Sequence, residues 1–305
     1  MDGILNVNKP SGPTSHDVVA RIRRITGEKR VGHAGTLDPL ASGVLLVCLG
    51  RATRIVEYLM DLPKSYRATA VFGVETDTED ATGSVIRESD CSPSTRDMVE
   101  AILPEFTGQI QQIPPMASAV HHEGQRLYEL ARKGEVVERQ PRTVEIYSLR
   151  FVDFQPGERP TATLDIECSK GTYVRTLCAD IGRRVDCGAH MASLIRTGVG
   201  PFRVEDSATL EEIEQKASAG KLGEVLHSMD EALGSMPSIE VSNEEAMALA
   251  NGMTIRINMP NKTGVTLKAK TASGIIAAIG KTSAENSELV FKPDKVFIRP
   301  DEVEV

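Results

Sequence analysis

The sequence predicts an α+β fold, in which helices flank a large mixed β-sheet and a small β-rich module follows. Apolar runs such as residues 44–49 and 66–72 predict buried or half-buried strands. Apolar residues at helical spacing alternate with these runs, as at residues 18–25. Beyond residue 236 the chain turns to short strands separated by Gly, Asn and Ser. With 305 residues, the chain is long enough for one large domain or two ordinary ones.

The N-terminal part predicts a strand, a helix and two further strands. Residues 3–8 alternate enough for a short strand, and Ser15 is the predicted N-cap of a helix that Gly27 ends. The continuous apolar run at 44–49 predicts a buried strand, and the alternation at 66–72 predicts a strand with one buried face.

Polar segments dominate the middle of the chain. Residues 73–92 predict a long loop or hairpin, and its acids Asp77, Glu79 and Asp80 are interpreted as a solvated turn because they lack an EF-hand pattern. The excursion at 109–144 is so long that we expect it to have a binding role. Further predicted elements are a helix from Ser94 to Ile102, a helix at 126–133, a strand at 164–168 and a helix at 173–185.

The predicted domain boundary lies near residue 236. Residues 207–235 are acidic and helical, and the Met-Pro pair that follows them predicts a linker. We therefore expect a first domain at 1–235 and a second at 237–305. The second should contain a helix at 243–250 and short strands at 264–270, 274–280, 289–291 and 295–298.

Composition narrows the classes of function. The net charge is −8, yet residues 201–250 alone hold eleven acidic and three basic residues. Residues 1–60 hold eight basic and five acidic residues, so a polyanion such as RNA can still be attracted there. The five cysteines form no CxxC pair, which favours reduced thiols over a zinc site. Neither a membrane span nor a secretory signal is visible, so we expect a cytoplasmic protein.

The richest candidate site is the loop that precedes the strand at 44–49. Residues 32–43 read GHAGTLDPLASG, and such a loop is suited to holding a side chain in a cleft. Asp38 stands between Leu37 and Pro39, and apolar neighbours partly desolvate a carboxylate. A desolvated carboxylate needs a cation beside it and can serve as a nucleophile or base. On spacing alone, an aspartate that caps its own turn is the commoner explanation.

The sequence of this loop favours a functional role for Asp38, because it resembles the signature of the TruB family of pseudouridine synthases. Four other motifs of that family are similar to segments of this chain, in the expected order. They are KPSGPTS at 9–15, KSYR at 64–67, SKGTYVRTL at 169–177 and LIRTGVGPF at 194–202. One short motif is weak, whereas five in order are specific.

The resemblance implies a pseudouridine synthase catalytic domain that isomerises a uridine in the T-loop of tRNA, at position 55. Uracil is detached from C1′, turned and rejoined through C5, so no metal or organic cofactor is expected. The segment at 109–144 would be the insertion that clamps the RNA loop, and 237–305 would correspond to a PUA-type RNA-binding module. The long insertion matches bacterial enzymes that act alone. We therefore expect a monomer whose partner is tRNA, with no obligatory protein partner.

The matching motif positions supply the candidate catalytic residues. Asp38 is the nucleophile or base, and Arg175 is its planar, permanently charged partner. Tyr66 would lie against the target base, where its ring stacks and its hydroxyl can transfer a proton. Leu194 would close the apolar side of the pocket. His33 would fill the space left by the uridine when it flips out of its stack.

Four further residues are assigned to substrate binding. Lys9 and Lys64 are expected to contact phosphate or to support the loop, and Lys64 as a solvated charge is an equal alternative. Gly32 and Thr36 belong to the loop motif itself.

The sequence leaves two other classes of function open. A catalytically silent RNA-binding or tRNA-folding protein would keep the fold without the chemistry, although the three candidate catalytic residues are intact. A metal-dependent hydrolase would use His33, Asp38 and the histidines at 121–122. Adjacent residues of a strand point apart, however, and no further ligand lies at the right spacing.

Overall fold

The structure is a computed structural model that describes residues 1–91, 95–116, 118, 120–122, 124–135, 137–259, 263–285 and 288–303. It confirms the α+β class, since helices flank one large mixed sheet and a second, smaller sheet follows. The helices are α1 (Ser15–Thr26), α2 (Val56–Asp61), α3 (Thr95–Ile102), α4 (Leu127–Arg132), α5 (Val174–Arg184), α6 (Leu210–Ser218), α7 (Met229–Ala232) and α8 (Asn243–Ala250).

Most strands belong to the two sheets, and two short hairpins stand apart from them. The strands are β1 (Gly3–Lys9), β2 (Val31–His33), β3 (Ser42–Leu49), β4 (Lys64–Phe72), β5 (Val74–Thr76), β6 (Val85–Glu88), β7 (Gly108–Gln112), β8 (His121–His122), β9 (Gln125–Arg126), β10 (Arg142–Gln155), β11 (Thr161–Cys168), β12 (Ala189–Val199), β13 (Phe202–Arg203), β14 (Leu226–His227), β15 (Ser238–Val241), β16 (Ile255–Arg256), β17 (Thr266–Thr271), β18 (Ile276–Glu285) and β19 (Glu288–Val296).

The large sheet brings distant motifs together at its centre. Its strands follow the order β14-β1-β3-β12-β4-β11-β10-β7, with β2 beside β3 and β13 beside β12. Strand β12 runs parallel to β3 and antiparallel to β4. Arg196 of β12 therefore lies opposite Gly43 on one side and Tyr66 on the other. Three of the five sequence motifs meet at this one point.

Strand β3 is buried on both faces, which explains its uninterrupted apolar sequence. Leu45 and Val47 pack with helices α1 and α5 in one core cluster. Val44 and Leu46 face the opposite way and belong to a second cluster. A strand in this position cannot shift without exposing one face, so it is a rigid base for the loop in front of it.

The expected insertion at 109–144 is shorter than predicted, because strands of the large sheet occupy both its ends. Residues 108–112 of β7 pair with residues 142–146 of β10, which leaves 113–141 as the insertion. The sequence-based prediction missed β10 because two bulges interrupt its alternation. The predicted cap Ser94, and Glu123 beside the paired histidines, lie outside the described residues.

The C-terminal sheet packs closely against the large one. Its strands follow the order β15-β17-β18-β19-β16, and the two strands expected at 289–291 and 295–298 are largely one bulged strand, β19. Ile279 and Phe297 share a core cluster with Ile4 of β1. Arg51 bonds Asp2 at 2.7 Å and Glu302 at 2.6 Å, which ties the two parts by charge as well. Among the described residues, no helix has the length and apolar character needed to cross a membrane.

Candidate active site

A cleft of about 660 Å³ opens where the loop between β2 and β3 meets strands β4 and β12 and the start of α5. Six of the nine sequence-predicted site residues line it. The structure therefore brings together groups that are up to 158 positions apart in sequence. These residues are Thr36, Asp38, Lys64, Tyr66, Arg175 and Leu194.

The loop that carries Asp38 is fixed by an unusually close backbone contact at its end. Gly43 has a φ of +98°, and a Cβ atom there would lie 2.3 Å from the carbonyl oxygen of Arg196. Only glycine combines this backbone conformation with this approach of two strands. The final glycine of the loop motif is therefore explained by packing of β3 against β12.

Two buried cations hold the loop through its backbone carbonyls. Lys9 is 0% exposed, and its Nζ donates to the carbonyl of Ala41 at 2.6 Å and that of Pro39 at 3.4 Å. Arg196 is 1% exposed and donates to the carbonyls of Thr36 at 3.3 Å and Gly35 at 3.2 Å. Both side chains are buried and donate their hydrogen bonds to the protein itself. Lys9 therefore supports the loop and is not placed to contact a phosphate.

Helix α1 also supports the loop, in a way that corrects its predicted cap. Thr14 is the N-cap and forms a capping box with Asp17, one residue before the expected Ser15. The Ser15 hydroxyl instead donates to the carbonyl of Leu37 at 3.1 Å and accepts from its N–H at 2.9 Å. Ser15 thus bonds both the N–H and the carbonyl of Leu37, the residue that precedes Asp38.

Arg175 lies directly across the cleft from this loop. Its Nη2 is 3.0 Å from Oδ2 of Asp38. The arginine side chain is only 7% exposed, whereas the aspartate is 36% exposed and open to the cleft. The guanidinium thus balances the charge of the carboxylate from its buried side, while the carboxylate remains accessible to a ligand from the cleft.

A second carboxylate holds the other side of Arg175, and here the sequence-based interpretation was wrong. Asp80 was interpreted as part of a solvated turn, but it is 4% exposed and its Oδ2 lies 3.5 Å from Nη1 of Arg175. Its Oδ1 accepts from Thr78 at 2.8 Å and from the Thr82 backbone at 2.9 Å. Those bonds satisfy a carboxylate that would otherwise be costly to bury.

The start of α5 is fixed by two further polar contacts. Gln112 is 1% exposed, donates to the carbonyl of Tyr173 at 3.1 Å and accepts from its N–H at 3.0 Å. Glu79 accepts from the Thr176 hydroxyl at 2.5 Å, and burial raises the pKa of this glutamate. Arg175 therefore projects from a helix turn that is held on both sides of it.

The apolar wall of the cleft is formed by strands β4 and β12. Tyr66 and Leu194 both lie on the cleft-facing side of these strands, and Leu194 is 7% exposed. Burial raises the pKa of the Tyr66 phenol, so this hydroxyl stays protonated at neutral pH. A stacking ring, a phenol and an apolar patch thus face the Asp38–Arg175 pair.

Three predicted residues have positions that differ from expectation. His33 is half-buried outside the cleft lining and packs edge-on against His16, with ring centroids 5.3 Å apart. Gly32 lies beside it in β2, behind the cleft. Lys64 is not a solvated charge: it is 6% exposed, and its Nζ donates to the carbonyl of Leu62 at 2.6 Å. Burial lowers the pKa of Lys64 to about 8.

Comparison with known proteins identifies the family. The N-terminal domain model of the TruB family of pseudouridylate synthases matches residues 23–174, and the C-terminal domain model of tRNA pseudouridylate synthase B matches residues 175–234. A protein named tRNA pseudouridine synthase B from Symbiobacterium thermophilum is 53% identical over 253 residues, 83% of each chain. The chain belongs to the TruB family.

Other matches extend over the whole of this TruB-family chain. A protein named tRNA pseudouridine synthase B from Pelotomaculum thermopropionicum is 44% identical over 309 residues, 98% of each chain. A solved structure of an H/ACA RNP bound to a substrate RNA containing 2′-deoxyuridine matches with a TM-score of 0.76 and 26% identity, covering 99% of this chain and 87% of the other. The protein is therefore an enzyme, a pseudouridine synthase.

Within this TruB-family site, sequence reasoning missed Asp80, Arg196 and Gln112. A signal for Asp80 was present, because Thr76, Thr78 and Thr82 surround it and hydroxyls are what a buried carboxylate requires. Arg196 stood in a recognised motif without a role. In the part of the chain that the structure describes, no three His, Cys, Asp or Glu side chains are grouped to share a metal ion.

Proposed function

We propose that this pseudouridine synthase acts on tRNA and isomerises the uridine at position 55, in the T-loop. The observation that carries the proposal is the Asp38–Arg175 pair, 3.0 Å apart and facing Tyr66 in an open cleft. A substrate as large as tRNA suits a cleft whose reactive carboxylate is still 36% exposed. The tRNA named in the relatives' descriptions supports the same substrate.

Asp38 is the proposed chemical residue. Its carboxylate either attacks the base, attacks the sugar, or removes a sugar proton, and all three schemes require an ionised carboxylate close to the target nucleotide. Arg175 supplies the charge that balances the Asp38 carboxylate once the RNA has displaced water from the cleft. The detached uracil must then turn before C5 bonds to C1′, which requires a pocket that excludes water.

Tyr66 and Leu194 are the proposed contacts of the target base. The base is stacked within a folded RNA loop and must flip out to reach Asp38. Once in the cleft it would stack on Tyr66 and touch Leu194 on its apolar side. His33 would contact the RNA from which the base has left. In the free protein it is covered in part by His16, so this role requires His33 to turn outward on binding.

The insertion at 113–141 is the proposed clamp for the T-loop. Ser118 of this insertion lines the cleft, which places the insertion within reach of a nucleotide that enters. Residues 237–305 are proposed to act as a PUA-like module that contacts the rest of the tRNA. We further propose that the enzyme acts as a monomer in the cytoplasm, without an obligatory protein partner or a bound cofactor.

The test is to incubate the purified protein with an unmodified tRNA transcript and to locate pseudouridine at single-nucleotide resolution. We expect one new pseudouridine, at position 55. A matched transcript with cytidine at that position serves as the control and should remain unmodified. Pseudouridine at another position would contradict the proposed site, and none in any tRNA would contradict the proposed substrate.

A further inference from the structure

The cleft contains more positive charge than the Asp38–Arg175 chemistry uses. Five cationic side chains line it. Three are buried and bind groups of the protein itself: Lys64 and Arg196 bind carbonyls, and Arg175 binds Asp38. The other two, Arg142 and Lys170, are exposed. These two positive charges are accessible to a ligand that enters the cleft.

Lys170 forms an exposed ion pair at the cleft. Its Nζ lies 2.6 Å from Oδ1 of Asp61, the last residue of α2, and both residues line the cleft. Their side chains are 62% and 61% exposed, and an exposed ion pair contributes little to stability. The pair is therefore a poor structural brace, although both of its members line the cleft that a nucleotide must enter.

The backbone around Lys170 is fixed, so Lys170 can change its partner by a movement of its side chain alone. Ser169 donates its N–H to the carbonyl of Glu145 at 2.8 Å and accepts at its hydroxyl from the Glu145 N–H at 2.9 Å. The Thr172 hydroxyl donates to the carbonyl of Ser169 at 3.0 Å. Lys170 thus extends from an anchored turn, five positions before Arg175, and its long side chain can reach across or into the cleft.

We propose that Lys170 is a substrate-binding residue that Asp61 holds in the free enzyme, and that it exchanges Asp61 for a phosphate next to the target uridine. The proposal rests on the proposed tRNA substrate. A nucleotide that reaches Asp38 brings its flanking phosphates to the opening of the cleft. There the Asp61 carboxylate repels them and Lys170 attracts them.

The neighbouring acid on α2 does not share this role. Glu57 also lines the cleft, but its carboxylate is 2.5 Å from Nζ of Lys295 in the C-terminal sheet. Glu57 is thus paired with another part of the protein, whereas Asp61 is paired with Lys170 at the cleft and lies in the field of the buried Lys64. Binding of a phosphate by Lys170 leaves the Asp61 carboxylate in water, where it is readily solvated.

The decisive experiment compares the two partners of the pair. Dissociation constants for an unmodified tRNA transcript are measured for Lys170→Gln and Asp61→Asn at several salt concentrations. We expect Lys170→Gln to weaken binding about threefold to tenfold and to lower the salt slope by about one contact. We expect Asp61→Asn to tighten binding by about twofold to fivefold, because a competing carboxylate is removed. Lys170→Arg should retain most of the affinity.

The opposite signs separate this exchange from a structural role. If the pair only stabilised the cleft, both variants would weaken binding alike, and that result would overturn the proposal. The exposed pair Arg184–Glu105, at the far end of α5, is the matched control. Arg184→Gln and Glu105→Gln should leave the dissociation constant within about twofold of the parent. A parent protein that neither binds nor modifies the transcript would instead contradict the proposed function.

Discussion

The two sides of the Asp38–Arg175 pair are held by opposite kinds of group. On the loop side, the cations Lys9 and Arg196 donate to backbone carbonyls around Asp38. On the helix side, acceptors surround Arg175, with Asp80 3.5 Å from its guanidinium and Glu79 bound to the next residue. The negative group of the pair is supported by cations and the positive one by carboxyl groups.

This difference shows how each side is fixed by buried contacts within the protein. The cations hold the loop through its carbonyls, and an arginine beside buried carboxylates keeps a single orientation. The Asp38–Arg175 ion pair joins the two sides across the cleft. Variants on the two sides should therefore differ in kind: helix-side changes should alter the chemical step, and loop-side changes should also alter stability.

The largest effect is expected for Asp38→Asn, which removes the negative group itself. The amide is similar in size but is neither a nucleophile nor a base, so kcat should fall by at least about 10³-fold. Binding should change by less than about threefold, because phosphate contacts supply most of the affinity. Single-turnover assays and filter binding with an unmodified tRNA transcript measure the two quantities. Turnover near that of the parent would remove Asp38 from the chemistry.

A loss of about 10²-fold in kcat is expected for Arg175→Lys, because lysine keeps the charge but loses the planar fork that reaches two carboxylates. KM should change little, since the pair acts within the bound complex. Arg183→Lys, on the exposed face of the same helix, is the control. Equal single-turnover rates for Arg175→Lys and the parent would contradict the proposed pairing.

Asp80→Asn should lower kcat by about tenfold, because Arg175 loses one of its two carboxylate partners and some of its orientation. The exposed Asp77 belongs to the same turn, and Asp77→Asn is the matched control for a change of charge there. Rates measured with the enzyme in excess of tRNA test both variants. A similar loss in both would mean that only the net charge of the turn matters.

Lys9 should affect stability, with a defined dependence on pH. Burial lowers its pKa to about 8 from the ordinary 10.5, although the nearby Asp38 opposes the shift. Below pH 8 the folded and unfolded chains both hold the proton, so the cost of burying the charge is present in full. Between pH 8 and 10.5 only the unfolded chain holds it. Unfolding then takes up a proton, and the free energy of unfolding rises with pH by up to about 3 kcal/mol from this residue.

The measurement for Lys9 is chemical denaturation of the parent and of Lys9→Met at several values of pH. The free energy of unfolding of the parent should rise relative to that of the variant between pH 8 and 10. Lys29→Met, at an exposed position, should run parallel to the parent. A constant difference between parent and Lys9→Met over this range would show that Lys9 does not titrate as described.

Truncation at residue 237 is a poor way to compare the clamp with the C-terminal module. Ile279 and Phe297 share a core cluster with Ile4 of β1, so deleting 237–305 would expose apolar surface on the catalytic sheet. Point substitutions on the outer surface of the module avoid this problem. Comparing them with a deletion of residues 116–140 in assays of an isolated T-arm hairpin would separate the two contributions, and the clamp deletion should raise KM more.

The sequence was sufficient for those parts of the site that depend on local pattern. The apolar run of β3 and the Gly-rich loop before it placed Asp38, and the motif around Arg175 placed its partner. Asp80 was misjudged because its burial comes from a distant contact: Glu79 and Ala81, on either side of it, bond the backbone of Met191 in β12. Local polarity suggested a solvated turn, and only the tertiary fold covers it.

The same limit applies to Lys9 and to strand β10. Lys9 ends a strand and would ordinarily extend into solvent, but the loop at 39–41 folds over it. Strand β10 has 14 residues, yet its bulges at 146–148 and 151–153 interrupt the alternation that predicts strands. In both cases the local structure depends on a partner far along the chain. The local sequence pattern does not indicate that partner.

A double-mutant cycle on the helix side tests most directly whether Asp80 acts through Arg175. Single-turnover rates on an unmodified tRNA transcript are compared for the parent, Asp80→Asn, Arg175→Lys and the double variant. We expect Asp80→Asn to lower the rate about tenfold in the parent and less than about threefold in the Arg175→Lys background. Losses that multiply in full would contradict this expectation, since Asp80 would then act on the reaction independently of Arg175.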